Sequence, residues 1–244
     1  FCVPKYSNPD GITFSDEVVR RFAALKPAAK DFRVIWDNAY IVHDLNDTPD
    51  KLLNIFDEAK KCGSEDMFIE VISTSKISFA GGGISAVIAS DANIAEIKKR
   101  MSIQIISNDK INQLRHARYF KNLDGIKAHM KKQAAILKPK FDAVTDGFEK
   151  AFDGTGIASW RKPNGGYFIS LFVMNGCAKR VGQLCKEAGL TLTTVGATYP
   201  YGIDPDDSNI RIAPSYPDVD ELKKAVELLC ICVKLAAAEK LTEE

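Results

Sequence analysis

Four short stretches carry side chains whose types can do chemistry together. They are SNPDG with Asn8, WDNAY with Asp37 and Tyr40, STSK with Ser73, Ser75 and Lys76, and NIRIAP with Arg211. The first three lie at or beyond the ends of apolar runs that read as strands. In open α/β sheets, ligands bind in the crevice outside the carboxyl ends of the strands, so residues distant in sequence can meet there on one ligand. Shortly after Lys76 comes Gly81-Gly82-Gly83, and successive backbone N–H groups of such a run can cradle a phosphate. It is not a P-loop, because no Gly-Lys-Ser/Thr follows it. Taken singly, each stretch has a plainer explanation. SNPDG makes a turn for backbone reasons alone. An aspartate after an apolar strand is commonly a cap, a lysine after STS a solvated charge, and an arginine within a strand half of an ion pair. The order and joint presence of the four carry more than any one of them.

The elements that must position these residues alternate through the first half of the chain. FCVPKYS predicts a strand leading into the SNPDG turn, and SDEVVRRFAALKPAAK a helix with Ser15 as its N-cap. FRVIWDNAYIV predicts a buried strand. TPDKLLNIFDEAKKCG predicts a helix with Pro49 near its start and Gly63 as its stop. MFIEVISTS and ISAVIAS predict two further strands, and SDANIAEIKKRM another helix. This alternation predicts an α/β sheet with parallel strands. From about Asp109 to Phe152 the pattern is mainly helical, and Pro139 is expected to kink or divide it. Beyond lie TGIASWRKPNGGYFISLFVM, a helix around Ala178 to Ala188, LTLTTV, NIRIAP and a last helix from Asp218 to about Leu235. Those elements predict a small α+β domain. The expected division is 1–125 and 126–244, joined by a long helix.

The 244 residues are 45% hydrophobic and 27% charged, with a formal net charge of +1, an ordinary globular composition. No basic block or large net charge points to nucleic acid or an anionic membrane surface. No apolar run approaches the ~20 residues that span a bilayer. Cys2, Cys62, Cys177, Cys185, Cys230 and Cys232 show neither metal-ligand spacing nor a disulfide framework. They read as free thiols of a cytosolic protein, and a cytoplasmic location is expected. Cys230 and Cys232, two apart on a predicted helix, point to different faces. His43, His116 and His129 are scattered, with no cluster to hold a metal, so no metal site is expected.

Together the four stretches resemble the fold-type I pyridoxal-phosphate aminotransferases of class I/II. That family carries an Asn-Pro-x-Gly turn, an Asp-x-Ala-Tyr strand end, a Ser-x-x-Lys and a late arginine. This chain has Asn8-Pro9-Asp10-Gly11, Asp37-Asn38-Ala39-Tyr40, Ser73-Thr74-Ser75-Lys76 and Arg211 in that order, at similar intervals. CVPKYSNPDG, NDKINQLRHARY and NIRIAPSYP are similar to the MocR-like aspartate aminotransferase subgroup. The resemblance covers essentially the whole chain. It implies a partial large cofactor-binding domain, a mostly parallel sheet with flanking helices, followed by the small α+β domain.

The resemblance also implies roles. The cofactor would be pyridoxal 5'-phosphate, held by Lys76 as the Schiff-base lysine. Lys76 would then move a proton at the substrate α-carbon, a task for which partial burial near other cations would suit its amine. The Asp37 carboxylate would keep the ring nitrogen protonated. Tyr40 and Asn8 would hydrogen-bond the ring's phenolic oxygen, and Ser73 and Ser75 the phosphate. Arg211, with Asn8, would take the substrate carboxylate in a bidentate fork. The reaction implied is transamination between an amino acid, aspartate above all, and a 2-oxo acid such as 2-oxoglutarate. The family also implies a two-fold homodimer with shared active sites.

Two departures from the family pattern stand out. Many members carry an arginine shortly after the lysine, at the phosphate. Here ISFAGGGIS follows, with no basic residue before Lys98; the glycine backbone, or Lys110 or Arg115 from a partner subunit, are the substitutes to consider. The family's long N-terminal part, with its glycine-rich phosphate loop and ring-stacking aromatic, has no counterpart in these residues. If they are the whole protein, weak cofactor binding and exposed apolar surface prone to association are expected. If they are part of a longer protein, the intact protein is expected to be an enzyme. Two other readings stay open. One is a non-catalytic ligand-sensing module of a MocR-type regulator. The other is a different pyridoxal-phosphate reaction, such as a lyase or decarboxylase, since fold does not fix chemistry.

Overall fold

Ser15 starts the first helix as its hydroxyl accepts from the Val18 N–H, which satisfies one of the donors that a helix start leaves open. Helix α1 spans Asp16–Ala23 and turns Val19 and Ala23 inward. The computed structural model describes residues 1–243. They divide into two units. The first comprises Phe1–Ser7, Ile12–Asp44 and Thr48–Lys132, and the second Asn8–Gly11, Leu45–Asp47 and the chain from Gln133 on.

The first unit continues with β1 (Val34–Asp37), α2 (Ile55–Cys62), β2 (Phe68–Ser73), β3 (Ser85–Ala89), α3 (Asp91–Gln104) and α4 (Lys110–Phe120). Helix α5 begins at Leu123 and runs to Phe152, with Pro139 inside it. The unit boundary falls within α5, after Lys132. Helix α2 starts late: Asn54, not Pro49, caps it, its side chain accepting from the N–H groups of Phe56 and Asp57. Gly63 ends it in the left-handed conformation, at φ 63°, which glycine adopts without strain. Trp36 on β1 is buried edge-on to Phe14, Phe22 and Phe68. Around it Val19, Ala23, Val34, Ile55, Ala59 and Met67 complete the core.

The sheet of the first unit has the order β1-β2-β3. β1 and β2 are parallel, with Asp37 opposite Val71. β2 and β3 are antiparallel, with Ser73 opposite Ser85. The sheet is therefore mixed, and the expectation of mostly parallel strands is corrected here. Only Thr74–Ile84 links β2 to β3, too short for the crossover of about a dozen or more residues that a parallel pair needs. FCVPKYS is not a strand either; its pairing is a single bridge between Cys2 and Trp36.

In the second unit, β4 (Ala158–Trp160), β5 (Ile169–Val173) and β6 (Asn209–Ile212) form an antiparallel sheet in that order, with Ser170 opposite Arg211. Helices α6 (Ala178–Glu187) and α7 (Val219–Glu243) cover it. Phe141, Val144, Phe148 and Phe152 from α5 bury against Leu171, Val181, Ile210 and Val233. Pro139 does not divide its helix. LTLTTV forms no strand among the described residues: Leu190, Leu192 and Val195 pack on the core without joining the ladder. Cys177, Cys185, Cys230 and Cys232 are buried in the same core, and all six cysteines are free thiols. No helix of the described residues is long and apolar enough to cross a membrane.

Candidate active site

The first unit gathers five of the predicted residues at the carboxyl ends of two adjacent strands. Asp37 ends β1; its N–H donates to the Cys2 carbonyl at 2.9 Å, and its carboxylate accepts from the Ala39 N–H at 3.1 Å. The next residue, Asn38, extends the ladder by donating its N–H to the Val71 carbonyl at 2.9 Å, and its side chain donates to Glu70. Burial raises the Glu70 carboxyl above the usual range, opposed by that bond from Asn38. Tyr40 is buried in the turn that follows.

Ser73 ends β2. Its hydroxyl accepts from the Ser75 N–H at 3.1 Å and lies 2.8 Å from the Ser75 hydroxyl, so the two hydroxyls sit side by side. Lys76 follows, and its ammonium lies 5.2 Å from the centre of the Tyr40 ring, within reach of a cation–π contact. Two motifs 36 residues apart in number, Tyr40 and Lys76, thus meet because β1 and β2 are neighbours. Lys76 itself is exposed, not partly buried as its proposed task led us to expect.

The glycine run has a packing reason. A Cβ on Gly83 would stand 2.6 Å from the Ser75 hydroxyl and 2.8 Å from the Ser75 nitrogen, and one on Gly82 would overlap the Phe79 ring. Asn112 on α4 donates to the Gly82 carbonyl at 2.7 Å. Arg115, considered for the phosphate, rests its guanidinium over Phe79 at 5.3 Å.

The second unit holds Asn8 and Arg211. Arg211 donates from Nη1 to the Asn8 side-chain oxygen at 3.1 Å, and its guanidinium lies 4.7 Å over the Phe168 ring. The Arg211 Nε is buried and has no hydrogen-bond partner among the described residues. A buried donor without a partner is costly unless something takes it. Gly11 closes the Asn8 turn at φ +65°, where a Cβ would stand 2.5 Å from the Pro163 ring. Beside Arg211, Asn209 donates to the Ser170 hydroxyl at 2.7 Å, both side chains buried.

Other residues around these motifs were not foreseen. Lys5 binds Asp44 at 2.8 Å and the Ile41 carbonyl at 2.9 Å, and the Tyr6 hydroxyl donates to Asp44 at 2.7 Å. Burial, and then the bond to Asp44, hold the Tyr6 phenol well above its ordinary value. This pair braces the segment carrying Tyr40 and His43. The three histidines, read as scattered, all reach the turn Thr74–Ser78. No group of His, Cys, Asp and Glu among the described residues could hold a metal ion.

The family profile described as aspartate amino-transferase matches residues 1–244. An aspartate aminotransferase of Corynebacterium glutamicum is 45% identical over 237 residues, 97% of this chain and 55% of its own length. The crystal structure of an aspartate transaminase from Corynebacterium glutamicum superposes with a TM-score of 0.95 at 44% identity, over 98% of this chain and 56% of that one. A more distant neighbour, the α-aminoadipate aminotransferase LysN of Thermus thermophilus solved with N-(5'-phosphopyridoxyl)-L-leucine, shares the fold with a TM-score of 0.76 at 16% identity, over 97% of this chain and 58% of that one. The chain therefore spans little more than half the length of the relatives it matches.

Proposed function

Starting from the fact that the chain belongs to the aspartate aminotransferase family, we propose that the protein carrying it is a pyridoxal-phosphate-dependent transaminase. It would move the amino group of aspartate to a 2-oxo acid such as 2-oxoglutarate. The names of the similar enzymes support aspartate. The observation that carries the reading is the placement of Lys76 over Tyr40, beyond the end of the strand adjacent to the one that Asp37 closes.

The residues present fit the cofactor. An exposed amine, a strand-end carboxylate and two neighbouring hydroxyls stand at one sheet end. In the second unit, an arginine paired with Asn8 keeps one buried donor unused. When bound, pyridoxal phosphate supplies a ring that accepts electrons from the substrate α-carbon. Lys76 Nζ would tether it and, once displaced by the substrate amine, carry a proton to and from that carbon. The Asp37 carboxylate would keep the pyridine nitrogen protonated, since an opposite charge favours the charged form. The Tyr40 phenol and the Asn8 amide would donate to the ring oxygen, and Ser73 and Ser75 to the phosphate. Arg211, with its planar fork, would hold the substrate carboxylate. The chain's place in the MocR-like subgroup, a two-fold homodimer and a cytoplasmic location belong to the same reading.

The test is the visible spectrum of the protein with pyridoxal phosphate, then borohydride reduction and mass mapping. We expect an adduct on Lys76, aspartate-dependent formation of glutamate from 2-oxoglutarate, and loss of both in Lys76→Ala. Transamination at the wild-type rate in Lys76→Ala would overturn the reading. Cofactor trapped on Lys76 without any turnover would point instead to a ligand-sensing role.

A further inference from the structure

The chain has three histidines, and all three close on the five residues around the lysine. His43, in the turn after β1, places Nε2 3.2 Å from the Lys76 carbonyl. His129, in α5, places Nε2 2.8 Å from the Ile77 carbonyl. His116, in α4, places Nε2 2.8 Å from the Ser78 hydroxyl and 3.1 Å from the Thr74 hydroxyl. The turn is thus held at the position of the lysine, at the position after it, and two residues to either side.

The chemistry of each contact fixes which ring nitrogen carries hydrogen. A carbonyl only accepts, so Nε2 of His43 and of His129 must be the donor. The Nδ1 of His129 then accepts from the Tyr119 hydroxyl at 3.4 Å. His116 turns Nδ1 to the Asn112 carbonyl at 2.8 Å, so Nδ1 donates and, in the neutral ring, the single lone pair of Nε2 accepts from the Thr74 or the Ser78 hydroxyl, the latter also within reach of the Thr74 carbonyl at 3.1 Å. The Thr74 hydroxyl accepts in turn from the Ile84 N–H at 2.9 Å, and the Thr74 carbonyl accepts from the N–H groups of Ile77 and Ser78. Apolar contacts work alongside these bonds: Ile77 is buried with Phe120 and Met130, one residue beyond His129. His43 and His116 are 3% and 5% exposed, so water competes little for these bonds. The Lys76 side chain, by contrast, is exposed.

We propose that His43, His116 and His129 are positioning residues that lock the backbone of Lys76, leaving the lysine stem to move from a fixed root. This rests on reading Lys76 as the amine that tethers the cofactor. A group that first holds a ring and then carries a proton must return to one place within about half an ångström, and a supporting shell of locked side chains gives that precision. None of the three touches the reacting atoms; they act through the turn.

The test uses His43→Leu, His116→Leu and His129→Leu beside His43→Gln and His129→Gln, since a glutamine amide can donate from nearly the place of Nε2. Backbone hydrogen exchange is read without cofactor at Ile77 and Ser78, with Val34–Asp37 of β1 as the internal standard. We expect each leucine variant to speed exchange in the turn about tenfold while β1 changes little, and glutamine to restore most of the protection. Borohydride trapping of pyridoxal phosphate on Lys76 should slow in the leucine variants and recover in the glutamine ones. Turn exchange unchanged in the leucine variants, or raised equally in β1, would overturn the lock. Absence of any Lys76 adduct in the wild-type protein would instead overturn the reading of Lys76, and with it the catalytic purpose of the lock, whatever the exchange shows.

Discussion

Arg211 pairs with Asn8 through one nitrogen and stacks on Phe168, yet its buried Nε is unused. On the proposed reading, a guanidinium whose Nη1 is held while its Nε has no partner among the described residues suits a planar, two-oxygen partner. Lysine would keep the charge and lose the fork. If the proposed reading holds, Arg211→Lys should raise the KM for aspartate roughly 10–100-fold, the equivalent of about 1.5–3 kcal/mol for a charged hydrogen bond; steady-state kinetics on the purified protein checks this. His43 makes a second prediction at this scale. Burial pulls its imidazole down to about 4; its backbone bond to Lys76 opposes this, the Lys76 charge adds to it, and Asp44 opposes it again. In an unfolded chain a histidine titrates near about 6.5. Between those values the unfolded chain binds a proton that the folded chain refuses. Stability should then fall as the pH drops from about 6.5 toward 4, by up to about 3 kcal/mol, with no contribution from this group above that window. Urea unfolding at several pH values should show a shallower dependence for His43→Gln; identical slopes would contradict it.

The turn between β2 and β3 decides where the lysine stands, and at Gly83 it packs against the Ser75 backbone as well as the Ser75 hydroxyl. An alanine there would press on the nitrogen and Cα of Ser75 at 2.8 and 2.9 Å, backbone that cannot swing aside as a side chain can. Gly83→Ala should displace the turn and slow trapping of pyridoxal phosphate on Lys76 about tenfold or more, as small misplacements at reacting groups do. Gly63→Ala is the contrast: it has open space around it but a left-handed backbone. It should cost about 1 kcal/mol of stability and leave Lys76 trapping unchanged. Much at this scale was legible in the sequence, because it is local. The Ser15 cap and the Gly63 stop follow from short-range rules. The strand ends were less legible, since the expected strands run on to Val42 and Ser75 where β1 and β2 stop at Asp37 and Ser73. The direction of β3 was readable too, from the shortness of the Thr74–Ile84 link, although alternation of helix and strand suggested otherwise. The histidine lock was not readable. Its members stand 33 to 52 residues from the groups they bind, and no periodicity spans such a gap.

The two units differ in how much apolar surface they bury. In the second, α5, α6 and α7 enclose a continuous core around β5 and β6. In the first, the side of the sheet and helices beyond Ser85 is left open. No residue of α3 is buried, and Val87, Ile88, Ile103, Ile105, Ile106, Ile111, Leu114 and Tyr119 are exposed. Periodicity could not reveal this, because a strand reads the same whether or not anything covers its faces. Eight large apolar side chains within one stretch of a unit exceed the scattered singles that any protein surface carries. The 244-residue chain made by itself should therefore bind an apolar dye such as anilinonaphthalene sulfonate while still folded, and should self-associate as its concentration rises. Ile103→Lys with Ile106→Lys should cut the dye signal and the association together, since both residues lie in the exposed segment that ends α3 and no packed contact is lost with them. Strong dye binding that survives both changes would place the sticky surface elsewhere, and dye binding no stronger than that of an ordinary folded protein would mean that these side chains are too dispersed to act as one patch.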